Sequence, residues 1–490
     1  MKRIFPLFSL LGFLALSCGS GPSSDDKALR SNEKVAPDFK PPNIVFILAD
    51  DLGYGDPSCY GQEKFTTPHL DQLAADGIRF TRHYAGSTVC APSRSVLMTG
   101  LHTGHTPIRG NREVKPEGQA PLPASAFTIA EMLKEAGYVT GAFGKWGLGF
   151  PGSEGDPMKQ GFDRFYGYNC QRYAHRYYPA YLWDNDQKVM LEGNDWTHRT
   201  SYAPDLIQKQ VLDFIREYKD SSFFAYVPMV IPHAELVVPE DSILSSYMGR
   251  FPEEPYTGHP GADYGPGLRV PAYCSQSAPR ATFSAMVRRL DQHVGEIVAL
   301  LKELGIAENT LIMFSSDNGP HQEGGADPSF FNSSGNLRGL KRDLYEGGIR
   351  VPFLAAWPGT IEAGRSSAHV SAFWDLMPTL AELSSARVPA TDGISFLPEL
   401  LGQAQPEHEQ LYWEFHEQGG KQAILKDGWK AVRLGVRDDP AAPVELYNLN
   451  SDPAEQHNLA AEHPVLADSL ARLMDASRIP SETFRFGRNH

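Results

Sequence analysis

The run Asn43-Ile44-Val45-Phe46-Ile47-Leu48-Ala49 is met at once by Asp50-Asp51. An apolar stretch with no polar alternation reads as a strand buried on both faces, the habit of parallel sheets. The same pattern recurs. Tyr138 to Phe143 precedes Lys145, Phe223 to Val227 precedes His233, and Thr310 to Ser315 precedes Asp317-Asn318. Helical segments lie between them. Thr67-Pro68 opens one that runs through Ala75 with Gly77 closing it, and Phe127 to Ala136 is another. Ala281 to Leu304 carries Met286, Leu290, Val294, Ile297, Leu301 and Leu304 on one stripe. Strand and helix in alternation predict an α/β fold, a large mainly parallel or mixed sheet flanked by helices. A further strand is expected at Phe353 to Trp357.

Near residue 405 the texture changes. Leu411 to Phe415, Gln422 to Leu425, Trp429 to Val432 and Glu445 to Tyr447 read as short strands separated by turns, followed by a helix from Pro464 to Arg478. The expected division is therefore an α/β domain at 42–404 and a smaller antiparallel subdomain with a helix at 405–490. At the other end, Lys2 and Arg3 precede an apolar run from Ile4 to Leu16 and then Cys18. This reads as a signal peptide at 1–17 of lipoprotein type, with Cys18 as the lipid anchor, followed by a flexible tether at 18–41. The expectation is export to the periplasm or cell surface, with membrane contact only through that anchor. Five cysteines without CxxC spacing suggest no cysteine metal site, and an exported chain could pair two of them. A net charge of -14 argues against nucleic-acid binding but allows a small basic pocket.

Ligands of open α/β sheets sit beyond the carboxyl ends of the strands, so the polar clusters should meet at one edge. Asp50, Asp51, Asp317 and Asn318 converging there would repel one another without a cation between them. An all-oxygen donor set favours Ca²⁺ or Mg²⁺ over zinc. Arg94, Lys145, Lys341 and His233 are the candidates to hold a tetrahedral oxyanion. Cys90 precedes Pro92 at the start of a helix, where exposed N–H groups favour an anion. It is open whether its sulfur is a thiolate nucleophile of lowered pKa or an inert buried thiol.

Cys90-Ala91-Pro92-Ser93-Arg94 resembles the Cys-x-Pro-Ser-Arg signature of the type I sulfatases, within the alkaline-phosphatase-like superfamily, and Leu97-Met98-Thr99-Gly100 continues it. Asn43–Gly55, Gly144–Gly149 (GKWGLG), Ser316–Gly319 (SDNG), Tyr345–Pro352 and Glu445–Leu459 resemble other blocks of that family, in order along nearly the whole mature chain. The resemblance implies that a maturation enzyme oxidises Cys90 to formylglycine, whose hydrate attacks sulfate-ester sulfur and then expels sulfate as the aldehyde re-forms. It implies one Ca²⁺ on Asp50, Asp51, Asp317 and Asn318, joined by residue 90. Arg94 orients the formylglycine and Lys145 and Lys341 bind sulfate oxygens. His233 protonates the leaving alcohol and Asp317 helps activate the attacking hydroxyl. The family usually reads Gly-Lys-x-His where this chain has Gly147, so His175, His321 or water would stand in for that base.

The stretch Tyr166 to Asp184, YGYNCQRYAHRYYPAYLWD, is dense in aromatic and cationic residues. Such residues stack on sugar faces and bond hydroxyls, or else fill a secondary core. With the resemblance, it points to a sulfated carbohydrate, a 4-O-sulfated galactose or N-acetylgalactosamine attacked from a chain end. Arg109, Asn111, Arg172, His175 and His321 are the candidate sugar contacts. The alternatives are a phosphate or phosphonate monoester hydrolase of the same superfamily and a glycan-binding surface protein without turnover.

Overall fold

The computed structural model describes residues 41–270 and 272–487. The expected signal, Cys18 and all but the last residue of the tether lie outside the described residues. Eleven strands form the large sheet: β1 (Asn43–Ala49), β2 (Ile78–Tyr84), β3 (Val139–Lys145), β4 (Arg164–Tyr168), β5 (Tyr181–Asp184), β6 (Gln187–Met190), β7 (Phe223–Pro228), β8 (Thr310–Ser316), β9 (Arg350–Ala356), β10 (Arg365–Ser367) and β11 (Ser371–Ala372). Their order is β10-β2-β9-β8-β1-β7-β3-β4-β5-β6, with β11 beside β2. The centre, β8-β1-β7-β3-β4, is parallel. β9 runs antiparallel between β2 and β8, and β5 and β6 add antiparallel strands at the other side.

β1 shows why its sequence is an unbroken apolar run. Ile44, Phe46 and Leu48 enter the core that holds the helices Cys90–Thr99, Ile129–Glu135 and Leu376–Ser384. Val45, Ile47 and Ala49 enter the opposite core, under the helices Pro68–Ala75, Ala203–Glu217 and Pro279–Glu303. Every one of these residues is at most 2% exposed. Alternate side chains of a strand point to opposite faces, so a strand covered on both sides has no solvent face to mark with polar residues.

The second sheet is antiparallel, in the order β12 (Leu411–Phe415), β13 (Lys421–Lys426), β14 (Trp429–Leu434), β15 (Val444–Asn448). Leu411, Trp413 and Phe415 face the main core, and Tyr412 joins Ile424, Ala431 and Leu446 beneath the helix Pro464–Ala476. The buried Lys430 amine, 2.9 Å from Glu346 and 3.0 Å from Glu455, ties this sheet to the segment just before β9. Among the described residues, no helix is long and apolar enough to cross a membrane. Cys59, Cys90, Cys170 and Cys274 are all unpaired, so no disulfide joins any two of these four.

Candidate active site

In-register pairing brings the strand ends together. Ala49 at the end of β1 pairs with Ser316 at the end of β8, so Asp50 and Asp317 start from neighbouring positions. Leu48 pairs with Pro228 of β7, after which the chain turns to His233. Gly144 lets β3 lie close enough for Lys145 to join them. Its φ is +136°, and a Cβ there would stand 1.9 Å from the Pro228 carbonyl oxygen. Asp51 takes a left-handed φ of 62°, which breaks the strand alternation and brings both carboxylates of the pair to one centre. Donor atoms of Asp50, Asp51, Cys90 and His233 lie within 4.8 Å of one another, all buried.

Around them the charges interlock. The Arg94 guanidinium is wholly buried and donates to Asp317 Oδ2 at 2.8 Å, to Asp50 Oδ2 at 3.3 Å and to the Lys145 carbonyl. Lys145 Nζ donates to Asp50 Oδ2 at 2.7 Å, and Lys341 Nζ to Asp51 Oδ2 at 2.6 Å. The Asp51 N–H donates to Asp317 Oδ1 at 3.1 Å. Lys341 is delivered by a loop pinned at its own N–H to the Pro320 carbonyl, 2.9 Å, and at the Arg342 N–H to the Thr88 carbonyl, 3.1 Å, just before the helix Cys90–Thr99. Burial alone would push Asp50 and Asp51 up. Lys145 beside the first and Lys341 beside the second more than offset that and hold both below the usual carboxylate range. Asp317 goes the other way, to about 6, through burial and the charge of Asp50.

These residues fit a hard divalent cation. Asn318 Oδ1 is buried and has no hydrogen-bond partner, while its Nδ2 donates to Asp51 Oδ1 at 2.7 Å. An orphaned carbonyl oxygen beside three crowded carboxylates is the donor set of an oxygen-ligated ion. Asp317 is engaged in the same way as Asp50 and Asp51, with Oδ2 accepting from Arg94 and Oδ1 from the Asp51 N–H.

Cys90 Sγ lies 3.5 Å from Asp50 Oδ1. Burial, then Asp50, push its thiol well above the ordinary value, so the residue is no thiolate despite its place at a helix start. His233 Nδ1 faces the Ala234 carbonyl, so that nitrogen carries the proton. Its Nε2 therefore accepts from Lys341 Nζ, 3.0 Å away. Burial, then Lys341, keep this imidazole neutral.

A cavity of about 230 Å³ opens above the cluster, and Cys90, Lys145, His233 and Lys341 reach it. Of the sugar-contact candidates, Asn111, Arg172 and His175 line it. Two do not. Arg109 is buried away from the cavity and pairs with Glu414 at 3.0 Å, as a bridge to the second sheet. His321 lies behind the wall, with Nδ1 accepting from the Glu323 N–H and Nε2 on the Pro232 carbonyl, so both ring nitrogens are committed. Of the two readings of the aromatic stretch, the secondary core holds for most of its tyrosines: Tyr166, Tyr168, Tyr177 and Tyr178 are buried with the helices of the second cluster. Gln119, Gln171, Tyr273, Glu323 and Arg342 line the cavity without having been singled out from sequence. Gly147, at φ +78°, is covered by Gln171, whose Nε2 would stand 2.9 Å from an added Cβ.

Residues 42–386 match the family model described as Sulfatase, and residues 340–477 match N-sulphoglucosamine sulphohydrolase, C-terminal. The chain belongs to the sulfatase family. This sulfatase is 30% identical to an N-acetylgalactosamine-6-O-sulfatase of Bacteroides thetaiotaomicron, over 97% of this chain and 99% of that one. It is 34% identical to human arylsulfatase A, over 89% and 87%. The solved structure of Ps i-CgsB in complex with k-i-k-neocarrahexaose superposes with a TM-score of 0.73 at 28% identity, covering 89% of this chain and 92% of that one. The sulfatase is a sulfuric ester hydrolase, with the large mixed sheet of its structural neighbours.

Proposed function

We propose that this sulfatase hydrolyses the sulfate ester of a sulfated carbohydrate, with residue 90 as formylglycine and one Ca²⁺ in the carboxylate cluster. The observation that carries the reading is the meeting of Cys90, Asp50, Asp51, Lys145, Lys341 and His233 at the floor of one small cavity. The relatives' own names, an N-acetylgalactosamine-6-O-sulfatase and Ps i-CgsB in complex with k-i-k-neocarrahexaose, support the carbohydrate class.

Asp50, Asp51, Asp317 and Asn318 would hold the ion, joined by residue 90, and the ion would draw negative charge from a sulfate oxygen. Formylglycine would supply a hydrated aldehyde as the nucleophile. The chain's own side chains do the rest. Lys145 and Lys341 present N–H donors to the non-bridging sulfate oxygens, where charge builds as the ester bond breaks. Arg94 clamps Asp50 and Asp317 and so fixes the floor beside residue 90. The leaving alcohol needs a proton, and His233, which lines the cavity beside Lys341, is placed to deliver one. His175 stacks on His233 with ring centroids 4.7 Å apart and, pushed down to about 3 by burial and then by Lys145, stays neutral there.

Turnover by the matured chain of 4-nitrophenyl sulfate, phosphate and phosphonate, alongside galactose and N-acetylgalactosamine carrying 4-O- or 6-O-sulfate, tests the reading. Preference for a sulfated sugar is expected. Faster phosphonate than sulfate turnover, or sugar binding with no turnover, would replace it with one of the alternative activities.

A further inference from the structure

One side of the cavity differs from its floor. The hairpin through 111–119, closed by a bridge between Glu113 and Gln119, stands against the segment 171–175. Asn111 anchors it to the nucleophile's helix by accepting the Ala91 N–H at 3.2 Å. Across this wall four polar atoms are buried and have no partner: Gln119 Oε1, Gln171 Nε2, Arg172 Nε and His175 Nδ1. Gln119 and Gln171 are 5% and 6% exposed, and both face the cavity. Unpaired buried donors and acceptors are costly unless a ligand completes them. Yet each cation of the wall is already paired with a carboxylate. Arg172 is neutralised by Glu113 at 2.6 Å and gives a further N–H to the Pro116 carbonyl. Arg342, also lining the cavity, pairs at 2.5 Å with Glu323, a carboxylate it shares with Lys341 at 3.4 Å.

The structure assigns this wall to the uncharged polar edge of the sugar, its hydroxyl or acetamido groups, and thereby makes the preferred substrate a sugar ring that carries one sulfate and no second anionic substituent. The inference rests on the carbohydrate reading above and narrows it. A second sulfate or a carboxylate on this edge would bring charge against Glu113, with only the remaining Arg172 Nε–H to offset it, whereas neutral donors and acceptors satisfy the two glutamines. Discrimination then comes from an unfavourable encounter as much as from a good fit.

Binding to the full-length Cys90→Ala chain, measured by calorimetry, separates this from the chemistry. The probes are N-acetylgalactosamine 4-sulfate, the 6-sulfate and the 4,6-disulfate. The better monosulfate should bind at least ~10-fold more tightly than the disulfate. Adding Glu113→Gln, which leaves Arg172 unneutralised, should narrow that gap several-fold. In the catalytically intact chain, Gln119→Ala and Gln171→Ala should each lower kcat/KM for the monosulfate by ~10-fold relative to 4-nitrophenyl sulfate. Thermal melts confirm that each variant is folded. Equal binding of mono- and disulfate, an unchanged gap in a folded Glu113→Gln chain, or glutamine variants that slow both substrates alike would overturn the assignment. Selective binding by a chain that hydrolyses no sulfate ester would leave the wall standing and remove the hydrolytic reading instead.

Discussion

The floor and the wall of one cavity solve opposite electrostatic problems. On the floor, Asp50, Asp51, Asp317 and Arg94 are wholly buried and Lys145 nearly so, an arrangement that survives only because each charge lies against its opposite. On the wall, Arg172 is matched by Glu113 and the remaining polar atoms are neutral and unpaired. The floor sits on the ends of four central strands, held by in-register pairing. The wall is a hairpin and a short helical turn that touch through side chains. Rigid strand ends suit a reaction that needs charge fixed in place. A loop wall suits recognition, which can vary without disturbing the chemistry.

The contrast breaks first at residue 90. Cys90→Ala should lower kcat by on the order of 10⁴-fold or more while monosulfate binding, read by calorimetry, stays largely intact. Chelation is next. Dialysis against EDTA should cost ~10²–10³-fold in turnover and lower the melting temperature, because three crowded carboxylates lose their ion. Ca²⁺ should restore both better than Zn²⁺ does. Lys145→Met and Lys341→Met, each followed by steady-state kinetics on 4-nitrophenyl sulfate and on the sugar, should each lose ~10²-fold on both substrates, since the floor does not distinguish them. Gly147→Ala tests the seam between the two regions. A side chain at φ +78° that crowds Gln171 should destabilise the fold by about 1 kcal/mol in urea titrations and slow the sugar more than the aryl ester. Arg109→Ala lies outside both regions. Glu414 keeps Arg478 at 2.7 Å and His416 at 2.9 Å, so about 1–2 kcal/mol of stability should go while kcat/KM moves by no more than ~2-fold.

The same contrast decides what could be read from the sequence. Asp50, Asp317 and Lys145 were legible because each directly follows an apolar run that only a buried strand explains, and parallel strands deliver their ends to one edge. β2 was not. Its sequence, Ile-Arg-Phe-Thr-Arg-His-Tyr, mixes charges into a strand whose arginines and threonine are half-buried. The antiparallel insertion of β9 between β2 and β8 leaves no mark in the periodicity of either neighbour. Gln119 and Gln171 escaped for another reason. A glutamine in a loop or at the start of a one-turn helix carries no signal of which way it faces, and their place on the cavity comes from the packing of the hairpin on the 171–175 segment. The tyrosines of Tyr166 to Asp184 left two readings open, because aromatic density marks a second core as readily as a sugar platform, and packing selects the core. Arg109 misled, since a buried arginine serves an ion pair with Glu414 as well as it would serve a substrate.

The most direct test is the mass of the peptide that carries residue 90, taken from chain matured in its native host and active on 4-nitrophenyl sulfate. An aldehyde or its hydrate in place of the thiol is the predicted result. An intact cysteine thiol throughout a fully active preparation would contradict the assignment of residue 90 as the nucleophile above the carboxylate floor.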